Sequence, residues 1–175
     1  MALIMVMTCH GQPAKNSAVK NRNDGYMLLG LVGYNYTDRY ISEYSIDGAG
    51  GGDIIMSSAT SGGSGASCCV KLSRTYLGQI RVTVRWQVDG CVYLIKDDRT
   101  GAADKVRHFY YREVEVNVGR VPGQNPKYIE SHFYPDGSVY VLLTEHSSKP
   151  LLDLNDKRPD KSYFPRCKDD KEPDD

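Results

Sequence analysis

The sequence carries no surplus charge of either sign: 22 basic residues meet 22 acidic ones, and the formal net charge is zero. A field able to neutralise a phosphate backbone is therefore missing, which excludes non-specific nucleic-acid binding as the main activity. Metal-type cysteine motifs are missing as well. No C-x-x-C occurs, and no Cys/His spacing fits a zinc site. No apolar run is long enough to span a bilayer as a helix. Amphipathic helical periodicity and internal repeats are absent, which argues against bundles and solenoids. Phenylalanine is scarce, at three residues against 13 tyrosines. The aromatic content thus consists mostly of rings with a polar tip, suited to half-buried strands and adhesive surfaces.

Motifs of catalysis also fall short. The stretch DGAGGGDIIMSSATSGGSGASCCV, Asp47 to Val70, is the richest in glycine and serine. Gly62-Gly63-Ser64-Gly65-Ala66 lacks the last glycine of a nucleophile elbow, and no helical pattern follows. Gly48-Ala49-Gly50-Gly51-Gly52-Asp53 breaks the dinucleotide fingerprint at Asp53, and no lysine completes a P-loop. DLNDKRPD places Arg158 where a calcium loop needs glycine. His10, His108, His132 and His146 have no evident serine or cysteine partner, and His132 alternates with Tyr128, Glu130 and Tyr134 on one strand face. No catalytic residue, metal ligand or cofactor-binding residue is expected. Ser64 is the one hydroxyl that a hydrolase reading could use. The better reading makes the stretch a structural loop, its glycines serving bulges and positive φ.

What is present is a period of two. In QIRVTVRWQV, Ile80, Val82, Val84, Trp86 and Val88 share one face, and charged or polar residues the other. Asp89-Gly90 then predicts a two-residue hairpin turn with Val88 opposite Cys91, which buries Cys91 on the core face. Pro135-Asp136-Gly137 predicts a second hairpin. Further strands are expected over Tyr26–Tyr36, Tyr40–Ile46, Cys68–Leu72, Phe109–Val118 and Lys127–Tyr134. Together they predict an all-β fold, an antiparallel β-sandwich or partly open barrel with a long Gly/Ser loop and disulfides. A single β domain is expected over 26–167, with a charged, frayed tail over 168–175.

Five cysteines make an odd count. MALIMVMTC, residues 1–9, looks like the end of a bacterial lipoprotein signal with Cys9 as the lipidated residue, followed by a polar tether over 10–25. With Cys9 carrying lipid, Cys68, Cys69, Cys91 and Cys167 can form two disulfides in an oxidising compartment. In a regular strand Cys68 and Cys69 point to opposite faces. One of them is therefore expected to bridge to Cys91 and the other to reach Cys167, with a vicinal Cys68–Cys69 bond as the minor alternative. Four cysteines allow three connectivities.

Several segments resemble one family. They are GYMLLGLVGYNYTDRYISEYSIDGAGGGD, SGGSGASCCVKL, IRVTVRW, VEVNV, YIESHFYPDGSVYVLL and a following KP, over Gly25 to Pro150. The family is that of small bacterial lipoproteins encoded beside type VI secretion lipase effectors. The resemblance implies a non-catalytic immunity protein, lipid-anchored through Cys9 to the outer membrane on the periplasmic side. Its partner would be a cognate phospholipase toxin, with membrane contact only through the lipid and no nucleic acid. An inhibitor of that kind needs aromatic and arginine anchors on loops of a rigid scaffold. Tyr34, Tyr36, Asp38 and Arg39 are the first candidates, and Asp97, Asp98 and Arg99 the second. The competing expectation is a general periplasmic module that binds envelope components, suggested by the surplus tyrosines.

Overall fold

The computed structural model describes residues 25–73, 80–120, 125–154 and 158–174. The proposed lipidation residue Cys9 and most of the tether lie outside them. Eight strands follow one another: β1 (Tyr26–Asn35), β2 (Ile41–Ile46), β3 (Ala49–Ile54), β4 (Ser67–Ser73), β5 (Arg81–Lys96), β6 (Ala103–Arg120), β7 (Tyr128–Phe133) and β8 (Val139–Thr144). They form one mixed sheet in the order β3-β2-β5-β6-β8-β7-β1-β4. Its two edges come together, with Ser67 Oγ donating to Gly51 O at 2.9 Å, so the sheet is nearly closed into a barrel. Most ladders are antiparallel, but β1 pairs with β7 and β6 with β8 in parallel. Of the two expected architectures, the barrel is the one that forms. Among the described residues no helix is long and apolar enough to cross a membrane.

The period of two decides what faces inward. Leu29 and Leu31 of β1, Tyr44 and Ile46 of β2, Val82, Val84 and Trp86 of β5, and Ile129 and Phe133 of β7 fill the interior. Tyr44 and Trp86 both pack against Phe133, at ring distances of 5.5 and 5.6 Å. The central glycine of β3 is explained by this packing. A β-carbon on Gly51 would fall inside the Tyr44 ring, which leaves glycine as the residue that lets β3 lie over it.

The second expected hairpin forms: β7 and β8 pair antiparallel, and Tyr134 N–H bonds Ser138 O across the turn at 3.0 Å. The first does not. β5 runs straight through Asp89-Gly90, and the ladder to β6 shows only a bulge between Gln87 and Asp89. Cys91 faces His108, not Val88. Gly90 serves close packing instead of a turn, since a β-carbon there would strike the His108 backbone oxygen and crowd Phe109 and Phe164. The chain reverses at Asp97–Ala102, within the charged segment. There Asp97 Oδ1 accepts from Arg99 N and Thr100 N at 2.8 Å each, and Gly101 N bonds Asp97 O.

The sulfur pairing also departs from expectation. Cys68 bonds Cys69 and Cys91 bonds Cys167. The opposite-face rule fails at Cys68-Cys69 because the strand is irregular there. Leu29 pairs with Val70 and Leu31 with Ser67, so neither cysteine has a ladder partner in β1. The Gly/Ser loop is consequently not stapled by sulfur to Cys91. Hydrogen bonds tie it down: Gly33 N to Ser64 Oγ at 2.7 Å, Asn35 N to Ser57 Oγ at 2.8 Å, and Ser57 N to Asn35 O at 2.8 Å. The Ser64 hydroxyl thus serves the backbone of β1.

Candidate functional site

Three places gather polar side chains on this scaffold, and they differ in what they can reach. The first lies on the outer side of β1 and β7, beneath the segment after β8. Glu130 and His132 alternate on β7, and Tyr34 of β1 and Tyr36 just past its end stand beside them, all at most 1% exposed. Tyr34 stacks on the His132 ring at 4.4 Å. The Tyr36 hydroxyl accepts from Leu151 N at 2.8 Å and lies 2.8 Å from His132 Nδ1. Its single proton is best given to Nδ1, which leaves the ring proton on Nε2, facing Glu130 Oε2 at 3.6 Å. Glu130 Oε1 accepts from Thr144 Oγ1 at 3.0 Å and Ser148 N at 2.7 Å. Tyr34 Oη donates to Ser148 O at 2.6 Å. Burial pushes the Glu130 carboxyl up, but the donors at His132, Ser148 and Thr144 outweigh it and hold the group below its usual range. Burial pushes the Tyr36 hydroxyl up to about 12.

An acid–histidine–hydroxyl row of this kind could relay a proton, but its members are sealed beneath residues 144–151. Its chemistry here is to hold a strap on the barrel. Tyr34 and Tyr36 are therefore corrected from surface anchors to strap-binding core residues. They alternate outward from the barrel, yet the strap covers them, a long-range contact that β1 alone does not reveal.

The second place is a cleft of about 290 Å³ at the end of the barrel where β1 and β7 finish. Trp86 and Ile41 line it with Asp38, Arg39, Asp89 and Arg112. Asp38 and Arg39 thus do reach a concave surface. Arg39 Nη1 meets Asp89 Oδ1 at 2.5 Å, and Asp38 Oδ2 meets Lys161 Nζ at 2.5 Å. The Lys161 ammonium holds the Asp38 carboxyl below the usual range. Arg158 fixes the rear of this loop by donating to Thr37 O and Ser57 O. Arg112 reaches Gly137 O at 3.4 Å and has no carboxylate partner among the described residues, so its guanidinium is free for one.

The third place is an arm. Beyond Trp86, β5 leaves β2, whose ladder ends at the Tyr44–Trp86 pair, and β8 meets β6 only at Val118–Arg120. Residues Gly90–Lys96 and Ala103–Phe109 therefore project as a two-stranded ribbon. Such a ribbon is marginal by itself. It is backed by the C-terminal segment, where Cys167 N bonds Val92 O and Val92 N bonds Pro165 O, both at 2.9 Å, and where the Cys91–Cys167 bond lies beside Tyr93 and Val106. The charged stretch that follows includes a short 3-10 turn at Lys168–Asp170. Asp97, Asp98 and Arg99 sit exposed at the arm's tip. From Asp89 to Asp97 is eight residues of extended chain, about 26 Å, so the two candidate groups form separate surfaces.

Glu130, Arg112 and Arg158 were absent from the sequence-based candidates. The alternation of Glu130 with His132 was the one local signal; the others depend on the fold. Among the described residues no group of three His, Cys, Asp or Glu side chains could hold a metal ion. Searches of curated proteins and of solved structures return no match. A family model described as protein of unknown function (DUF3304) matches residues 34–141, more than half of the sequence, and the chain belongs to that family.

Proposed function

We propose that the chain is a non-catalytic immunity protein, one that binds and inhibits a type VI secretion phospholipase effector in the periplasm. The observation that carries this reading is the burial of the acid–histidine–hydroxyl row. Glu130, His132 and Tyr36 are sealed, while the polar cleft and the arm are open, so the accessible chemistry is that of recognition. The sequence segments quoted above supply the kind of partner. Two disulfides suit an oxidising compartment, which favours action outside the cytoplasm, with Cys9 as the lipid-bearing residue.

In this reading the cleft receives a side chain of the toxin. Arg39 and Arg112 flank it over the nearly buried Trp86 and Ile41, and arginines over a rigid base are typical of binding hot spots. The test is phospholipase activity of the cognate effector, titrated with the purified chain. Stoichiometric inhibition is expected, and Arg112→Glu should weaken it at least about tenfold. An effector fully active at equimolar chain would refute the proposal. Recovery of an envelope polymer and no lipase on an affinity column would instead favour an envelope-binding module, which four exposed tyrosines (Tyr26, Tyr110, Tyr140 and Tyr163) also suit.

A further inference from the structure

On the outer face of the arm, Val92, Lys105, Arg107 and Phe109 meet Ser162, Tyr163, Phe164 and Arg166 around a groove of about 690 Å³. Register explains the grouping. Arg107 pairs with Val92, and the Val92–Arg166 bridge sets Arg166 beside them, while the Phe109 ring meets the Phe164 edge at 5.7 Å. Three cations line this groove and no carboxylate does, in a chain whose net charge is zero. Arg166 is partly committed to Asp170 at 2.7 Å. Lys105 and Arg107 have no ion-pair partner among the described residues. Phe164 is 8% exposed and anchors the wall, whereas Tyr163 stands 87% exposed at the rim.

We infer that this groove is a docking site for an acidic segment of a protein partner, its carboxylates on Lys105 and Arg107 and an apolar side chain against Phe109 and Tyr163. This deepens the inhibitory reading, on which it rests, by naming the chemistry of the partner's surface. Charge distribution selects the occupant. At the tip of the same arm Lys96 and Arg99 offset Asp97 and Asp98, so the cationic surface is confined to the groove, which suits a narrow acidic segment better than the broad face of an anionic bilayer. Arginine and aromatic residues together are the composition of a protein-binding centre.

The test uses the intact chain, isotopically labelled, and a short peptide alternating glutamate with phenylalanine, beside its glutamine counterpart. Saturable amide shifts at Val92, Arg107, Phe109 and Phe164 are expected with the glutamate peptide only. Lys105→Glu/Arg107→Glu, two exposed positions, should weaken that binding at least about tenfold, and Asp97→Ala/Asp98→Ala should leave it unchanged or tighter. No saturable shift, or equal binding by the charge-reversed variant, overturns the inference. So does a response to phosphatidylglycerol vesicles at the same amides without one to the peptide. Lipase inhibition that persists without peptide binding removes the groove alone; peptide binding without inhibition removes the inhibitory reading and keeps the groove.

Discussion

Replacing both cysteines of the long-range bond, Cys91→Ala/Cys167→Ala, tests how the arm is held. The bond closes a loop with a sequence separation of 76. Chain-entropy reasoning puts the loss from freeing such a loop in the unfolded state at about 4.5 kcal/mol at 25 °C. Less than that should be measured, about 2–4 kcal/mol, because the freed segment keeps its backbone bonds to Val92 and the Phe109–Phe164 contact, and can peel away without unfolding the barrel. Urea unfolding followed by Trp86, the sole tryptophan and buried in the core, reads the global term. Hydrogen exchange at the Val92 amide reads the local one. The vicinal pair is the internal control: with a sequence separation of 1 it closes no loop of consequence, so Cys68→Ala/Cys69→Ala should cost under about 1 kcal/mol. A long-range variant within about 1 kcal/mol of the parent, with Val92 still protected, would refute the idea that the bond holds the arm together.

Removing the Tyr36 hydroxyl (Tyr36→Phe) orphans the Leu151 amide and a ring nitrogen of His132, and should cost about 2–3 kcal/mol, with loss of exchange protection at Leu151. Glu130 has a folded-state pKa below its ordinary 4.5, so its contribution is present above that value and disappears as pH falls through the folded pKa. Urea midpoints at pH 7 and pH 3 should therefore differ less for Glu130→Gln than for the parent. Gly51→Ala drives a methyl into the Tyr44 ring and should destabilise by about 1–3 kcal/mol, seen as a lower thermal midpoint.

Local information carried most of the fold. The β7–β8 hairpin was legible because its turn chemistry and both strands lie within one short stretch. The same rule misread Asp89-Gly90, since the glycine there answers first to the His108 backbone oxygen on β6, 18 positions later, and not to its neighbours. The vicinal bond ranks only as the minor alternative in sequence for a related reason: alternation describes a regular ladder, and the ladder slips at Cys68-Cys69. For the sites, Asp38 and Arg39 fall in the cleft as turn residues should, and Asp97–Arg99 are as exposed as their charge suggests. Tyr34 and Tyr36 look identical to surface tyrosines in sequence. Only the strap over β7, which arrives more than a hundred residues further on, makes them core.

The parallel ladder between β1 and β7 has a consequence for how the protein is made. Gly30 lies beside Tyr128 and Asn35 beside Phe133, an offset of 98 positions along the polypeptide. The first strand therefore has no inner neighbour until the seventh has left the ribosome, and synthesis must be nearly finished before the barrel can shut. A nascent chain of this design stays open until most of its length has been made.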